Sequence, residues 1–240
     1  MRIKDKIHMN RADLMKYGPI IITVLGDSVS HGAVAGGLMA HDTVYHNRLK
    51  EKILAVKNYV PVSVINSGVG GTCADDALAR LDSVLAHNPD LMIVCFGLND
   101  VNRPLDCFLA ALKTIFEKSL QKGAEVIFMT PNMLNTYVSD EVSEKLKNYA
   151  GITAEFQNSG KMDRYMEKAC EIARECGVKV CDCYGMWKKL AETEDTTLLL
   201  ANRINHPTRE MHELFAQALF DCIFDEEVKA TAADSDMYQG

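Results

Sequence analysis

The chain has 240 residues, which is enough for one large α/β domain or two small ones. Its formal net charge of −7 argues against nucleic acid or an anionic membrane surface as a partner. Hydrophobic residues make up 48% of the chain, yet no apolar run is long enough for a signal-peptide core or a membrane span. We therefore expect a cytoplasmic protein, unless a leader has been trimmed. The eight cysteines form no pair of CxxC motifs, which favours reduced thiols over a zinc site.

Five apolar runs alternate with helical patterns, which predicts an α/β fold with a parallel, doubly wound sheet and helices on both faces. The strands are expected at residues 20–25, 62–66, 91–96, 124–129 and 178–182. The helical patterns cover residues 41–57, 74–88, 105–122, 162–176, 184–200 (with a turn) and 208–224.

We find no linker and no internal repeat, so we predict a single domain over residues 1–240. Residues 1–18 are expected to form an N-terminal arm or helix, and residues 225–240 an acidic, loosely ordered tail. Residues 133–160 are polar and irregular in pattern. They are expected to form a loop or short-helix insertion over the strand ends, where substrate selectivity is commonly determined.

The first apolar run ends at Gly26, and Ser28 follows two residues later. Ligands of open α/β sheets bind outside the carboxyl ends of the strands, so this serine lies where chemistry is usually performed. The alternative is that Ser28 only caps a helix, which serine does well.

Two further strands end in the same manner. Residues 68–71 contain three glycines, which indicates either a tight turn or a close approach of the backbone to a ligand. A dinucleotide-binding fingerprint is disfavoured because Cys73 stands where its third glycine is required. The third strand leads to Asn99, which either acts in a site or forms a cap or turn.

These strand ends and one late loop contain the groups that acyl transfer requires. Ser28 would be the nucleophile, and His206 is the candidate base. The backbone N–H groups of Ser28 and Gly71 and the side-chain amide of Asn99 are candidates for the oxyanion hole.

The sequence resembles the SGNH hydrolases, also called the GDSL-like lipase/acylhydrolase superfamily. Four blocks carry this resemblance, in the family's order: Gly-Asp-Ser-Val-Ser-His-Gly at 26–32, Asn-Ser-Gly-Val-Gly-Gly-Thr at 66–72, Gly-Leu-Asn-Asp at 97–100 and Asn-His-Pro at 205–207. The resemblance implies a flavodoxin-like, three-layer α/β/α sandwich with five parallel strands. It also implies Ser28 as nucleophile, His206 as base, and Gly71 and Asn99 as oxyanion donors.

One position departs from the family pattern, which commonly has an acid three residues before the histidine. That position is Arg203 here. Three alternatives remain open: a backbone carbonyl orients His206, Asn202 or Asn205 orients it, or an acid arrives from elsewhere. Arg203 and Asn205 are also candidate substrate-binding residues, and Arg203 would favour an anionic ester.

We therefore expect a serine esterase that cleaves small O-acyl esters through an acyl-enzyme, with acylated carbohydrate as one candidate substrate and no metal or cofactor. One alternative, motivated by Arg203, is a non-catalytic binding protein on the same scaffold. Another is a metal-dependent phosphoesterase, which needs several His and Asp ligands at the strand ends, where this chain has few histidines. The oligomeric state is not predicted.

Overall fold

The computed structural model describes residues 2–224, and it contains one five-stranded sheet in the order β2-β1-β3-β4-β5. Every neighbouring pair of strands is parallel. The strands are β1 Ile20–Gly26, β2 Val62–Gly68, β3 Leu91–Cys95, β4 Glu125–Met129 and β5 Lys179–Cys181. The predicted α/β fold with a parallel five-stranded sheet is confirmed.

Ten α-helices connect and flank these strands in residues 2–224: α1 Ile3–Lys6, α2 Arg11–Tyr17, α3 Ser28–His31, α4 Tyr45–Val56, α5 Ala74–Leu85, α6 Leu105–Gln121, α7 Glu144–Asn158, α8 Lys161–Glu175, α9 Cys183–Leu190 and α10 Met211–Ile223. Parallel crossovers are right-handed. After β2 the chain reverses the direction in which it adds strands across the sheet, so the connecting helices lie on opposite faces. α4 packs beside α10, and α5, α6 and α8 pack as a second row. These two rows and the sheet are the three layers of the sandwich.

The register of the central strands brings their carboxyl ends to one level. Gly26, the last residue of β1, pairs with Gly68 of β2 on one side and with Cys95 of β3 on the other. A Cβ added to Gly26 would lie 2.2 Å from the Ser30 Oγ, so glycine is what allows α3 to pack directly on the strand end. The turns after β1, β2 and β3 therefore emerge side by side.

The segment predicted as a loop or short-helix insertion at 133–160 instead contains the 15-residue helix α7. Its buried positions are occupied by small or polar residues, and these lie at helical spacing: Ala150, Thr153, Ala154 and Gln157. Because helix recognition relies on large apolar residues at that spacing, the pattern was too weak to predict a helix.

At the N-terminus, where an arm or helix is expected, residues 2–18 contain the short helices α1 and α2. The predicted tail at 225–240 lies outside the described residues. Within the part of the chain that the structure describes, no helix is long and apolar enough to cross a membrane.

Candidate active site

Ser28 is the first residue of α3, directly after the end of β1. The side chain of Asp27 caps this helix by accepting a hydrogen bond of 2.9 Å from the Val29 N–H. Ser28 is 7% exposed, so most of the residue is shielded from bulk solvent at the carboxyl end of β1. Ser28 thus begins the helix rather than capping it, because Asp27 is the capping residue.

The Ser28 hydroxyl lies 3.0 Å from Nε2 of His206, although the two residues are 178 positions apart in sequence. On the other side of the ring, Nδ1 lies 2.9 Å from the backbone carbonyl oxygen of Val34. A carbonyl can only accept a hydrogen bond, so Nδ1 carries the proton and Nε2 presents its lone pair to the serine. This is the tautomer in which a histidine can take a proton from the serine hydroxyl.

The Val34 carbonyl belongs to a small hairpin that its own backbone bonds hold in place. Ala33 and Met39 form an antiparallel bridge, and the Val34 N–H donates to the Leu38 carbonyl. Of the alternatives left open by the sequence, the carbonyl is the one that contacts the imidazole. The carbonyl fixes the ring as a triad acid would, but it lacks the charge that would stabilise the imidazolium.

Arg203 lies where the family pattern has its acid, but its guanidinium forms its contacts away from His206. It forms an ion pair with Glu141 at 3.2 Å and donates to the carbonyl oxygens of Leu198 and Leu200. Arg203 is not among the residues that line the cavity at Ser28. The structure therefore does not bring this side chain together with Ser28 and His206.

Asn202 organises the loop that carries His206. Its Oδ1 accepts hydrogen bonds from the N–H groups of Ile204, Asn205 and His206 at 3.0, 2.9 and 2.9 Å. Its Nδ2 donates to Oδ1 of Asn205, which lines the cavity. Asn202 thus acts on the backbone around the base rather than on the ring.

Replacing Asn202 with alanine is expected to lower kcat by about 10-fold or more, with a smaller effect on KM. Three backbone donors lose their acceptor, and leaving such groups unsatisfied costs about 1–3 kcal/mol each when they are buried. Asn202→Asp keeps the acceptor oxygens and should recover most of the loss. Steady-state kinetics on an aryl acetate measures both variants. Equal impairment of the two would show that these bonds do not position His206.

Gly71 and Asn99, the two residues expected to act as oxyanion donors, line the same cavity as Ser28. Gly71 has a φ of +77°, and nothing lies within 4 Å of an added Cβ, so backbone conformation rather than crowding is the reason for glycine. Asn99 donates one amide hydrogen to the Thr72 carbonyl at 3.0 Å. This bond orients the amide and leaves its second hydrogen available to a ligand.

The family model described as the GDSL-like lipase/acylhydrolase family matches residues 24–214, and so spans all the residues of this arrangement. The chain belongs to that family. An acetylxylan esterase from Geobacillus stearothermophilus is 25% identical over 214 residues, which cover 81% of this chain and 89% of that enzyme. With the family match, this likeness identifies the protein as a carboxylic ester hydrolase.

Solved structures share the fold of this GDSL-family hydrolase. The crystal structure of Axe2, an acetylxylan esterase from Geobacillus stearothermophilus, superposes with a TM-score of 0.66 at 21% identity, covering 86% of this chain and 95% of the other. The acetyl xylan esterase AlAXEase gives a TM-score of 0.66 at 19% identity, with 85% and 100% covered.

Two buried carboxyl groups organise the GDSL-family site. Asp100 accepts hydrogen bonds from the N–H groups of Ala74 and Gly97 at 2.8 and 2.9 Å, so it joins the end of β3 to the start of α5. Burial raises its pKa to about 6. Burial raises the pKa of Asp27 to about 7, against the effect of the Val29 N–H, and the nearby Asp100 adds to the rise. Oδ2 of Asp27 has no hydrogen-bond partner among the described residues.

Asp27→Asn is expected to stabilise the protein at pH 8 and to leave its stability nearly unchanged at pH 4. The folded state holds a proton on Asp27 up to about pH 7, whereas the unfolded chain releases it near 3.8, so the wild type loses stability as pH rises between these values. Asparagine keeps the oxygen that accepts from Val29 and cannot ionise. Each unit of pKa shift corresponds to about 1.4 kcal/mol, so the expected gain is on the order of 2–4 kcal/mol. Denaturant unfolding at both pH values measures it, and an equal difference at pH 4 and pH 8 would contradict the assignment.

Three side chains beside the site converge as metal ligands could: Cys73, Asp75 and Asp100 offer atoms within 4.8 Å of one another. Each carboxylate is already engaged, however. Asp75 pairs with Arg103, and both oxygens of Asp100 accept backbone N–H groups. The cluster therefore stabilises the start of α5 in the structure as it stands.

The cavity at Ser28 has a volume of about 380 Å³, and its walls contain residues that the sequence did not indicate. Leu146 and Tyr149 reach it from α7, and Val34 and Met39 reach it from the hairpin opposite. The role of Val34 depends on a backbone carbonyl, which leaves no mark in a sequence. Tyr149 had a weak signal, since Leu146, Tyr149, Ala150 and Thr153 lie at helical spacing.

Proposed function

We propose that this esterase is a serine hydrolase that cleaves small O-acyl esters through an acyl-enzyme on Ser28, with His206 as its base. The observation that carries the proposal is a chain of two contacts: Ser28 Oγ lies 3.0 Å from His206 Nε2, and His206 Nδ1 lies 2.9 Å from the Val34 carbonyl oxygen. A serine nucleophile is activated by an adjacent base, and the base must itself be oriented by a third group. Here a backbone carbonyl takes the place of the third side chain.

In the first half of the reaction, Ser28 Oγ attacks the ester carbonyl carbon while its proton passes to Nε2 of His206. The carbonyl oxygen becomes an oxyanion, which would accept hydrogen bonds from the N–H groups of Ser28 and Gly71 and from the free amide hydrogen of Asn99. Preorganised donors of this kind are worth about 10²–10³-fold each in kcat. The tetrahedral intermediate then expels the alcohol, which leaves with the proton from Nε2.

In the second half, a water molecule attacks the acyl-Ser28 ester as its proton passes to Nε2 of His206. Collapse of the second intermediate releases the carboxylic acid and returns the proton to Ser28 Oγ. Burial lowers the pKa of His206, with the Val34 carbonyl acting in the opposite direction, so the ring is a neutral base at physiological pH. Both transfers use the same ring nitrogen.

Acylated carbohydrate is the substrate class that we propose for this site. The relative that is 25% identical to this chain is named an acetylxylan esterase. Of the residues that the structure describes, no Asp, Glu, Lys or Arg lines the cavity, which favours an uncharged ester. We propose Asn205 as a contact to that ester, because it lines the cavity next to His206.

A matched panel of esters tests this proposal. Acetylated xylo-oligosaccharides, p-nitrophenyl acetate and p-nitrophenyl palmitate are offered to the wild type and to Ser28→Ala. We expect acetate release from the two acetyl esters by the wild type alone, and little turnover of the long chain. Binding of the acetylated sugar without hydrolysis would instead indicate a non-catalytic protein on this scaffold.

A further inference from the structure

We propose that Tyr149 is a specificity-determining residue of this site, whose hydroxyl group donates a hydrogen bond to a hydroxyl oxygen on the alcohol portion of the ester. This inference rests on the proposed function and goes beyond it, because it assigns recognition of the alcohol to one side chain of α7.

Tyr149 is placed at the site by its packing. Its ring packs against a small apolar cluster of Val142, Ala150 and Ile204, and Ile204 lies two residues before His206. The residue is partly buried, and it lines the cavity together with Ser28. The wall that carries the tyrosine is thus joined to the loop that carries the base.

The hydroxyl of Tyr149 is the unused polar group of that wall. Its backbone carbonyl accepts from Thr153, but no described residue forms a hydrogen bond with its hydroxyl, and the hydroxyl is not sealed from solvent. A tyrosine hydroxyl that has no partner in the protein can donate to water or to a ligand in the cavity. Burial raises the pKa of Tyr149, and the carboxyl group of Asp27 adds to the rise. The phenol is therefore a neutral donor across the working pH range.

The surroundings of Tyr149 define the chemistry of the group that would bind there. Leu146, one turn earlier on α7, is 46% exposed and presents an apolar surface to the cavity. Among the described residues no charged side chain lines the cavity, so an anionic or cationic alcohol would gain no partner there. A neutral ring that combines apolar C–H groups with hydroxyl groups matches this wall, and a pyranose ring has that character.

The inference is tested by comparing kcat/KM for two enzymes on two substrates. One enzyme lacks the Tyr149 hydroxyl group, and one substrate lacks the hydroxyl groups of the sugar. The enzymes are wild type and Tyr149→Phe, and the substrates are methyl 2-O-acetyl-xylopyranoside and 3-acetoxytetrahydropyran, which has the ring without hydroxyl groups. One neutral hydrogen bond corresponds to a roughly 3- to 10-fold change in kcat/KM. We expect Tyr149→Phe to lose this factor on the xyloside and less than about 2-fold on the hydroxyl-free ester.

Tyr137→Phe is the matched control, because the Tyr137 hydroxyl donates to Asp195 and the residue does not line the cavity. It should leave the ratio of kcat/KM for the two esters unchanged. An equal loss on both esters by Tyr149→Phe, or no loss on either, would overturn the inference. Ser28→Ala run in parallel separates the two proposals. If it retains activity the proposed function fails, whereas an inactive Ser28→Ala with an unaffected Tyr149→Phe refutes the role of Tyr149 alone.

Discussion

Ser28→Ala is expected to lower kcat for p-nitrophenyl acetate by roughly 10⁴-fold or more, which is the scale seen when the nucleophile of a serine hydrolase is removed. The hydroxyl is the atom that would form the acyl-enzyme, and the structure leaves His206 3.0 Å from it with no other partner at Nε2 among the described residues. KM should change little, since the cavity walls remain. Initial rates at saturating ester, with melting temperature measured alongside, give the result.

Ser63→Ala is a suitable control for that experiment. Ser63 is exposed on β2, away from the carboxyl end of the sheet. Its substitution should leave kcat and the equilibrium constant for unfolding within about twofold of the wild-type values. A Ser28→Ala enzyme that is folded and active would require a different nucleophile.

His206→Ala is expected to lower kcat by roughly 10³–10⁶-fold, and the double variant Ser28→Ala/His206→Ala should be no worse than the poorer single variant. In the proposed mechanism the nucleophile and the base act as one unit, so the second substitution removes nothing further. Additive losses would show that the two residues act in separate steps. Rates of the three variants, each compared with the wild type, complete the cycle.

The pH profile of the wild type tests the proposed role of His206 through the ionisation of its ring. His206 must be neutral to accept a proton, so kcat/KM should rise with pH through a midpoint below the 6.5 that is ordinary for histidine, because burial lowers its pKa. This rising limb of the pH profile should persist in Asp27→Asn, which removes the carboxyl group whose pKa is about 7. A midpoint that disappears with that substitution would assign the limb to Asp27.

The five strands could be predicted from the sequence because each is a short stretch rich in apolar residues and bounded by turn residues. β3, for example, is buried at all of its five positions. The same logic anticipated that Ser28, Gly71 and Asn99 would meet, since β1, β2 and β3 are neighbours and parallel strands end at one edge. Helix α7 was not predicted, because its buried face is made of alanine, threonine and glutamine.

The orientation of His206 could not be predicted for a different reason. The group that holds its ring is the Val34 carbonyl, which every residue type possesses, and the two residues are 172 positions apart. The side chain that the family pattern pointed to, at Arg203, forms an ion pair with Glu141 instead. Only the folded hairpin at residues 33–39 reveals that a backbone atom performs the orienting role.

Covalent trapping tests the central claim most directly. The wild type is incubated with a fluorophosphonate, digested and mapped by mass spectrometry, with His206→Ala treated in parallel. We predict one stoichiometric adduct on Ser28 in the wild type, formed at least ~10²-fold more slowly in His206→Ala, because the base activates the hydroxyl. An esterase that stays active with Ser28 unmodified, or an adduct that forms equally fast without His206, would contradict it.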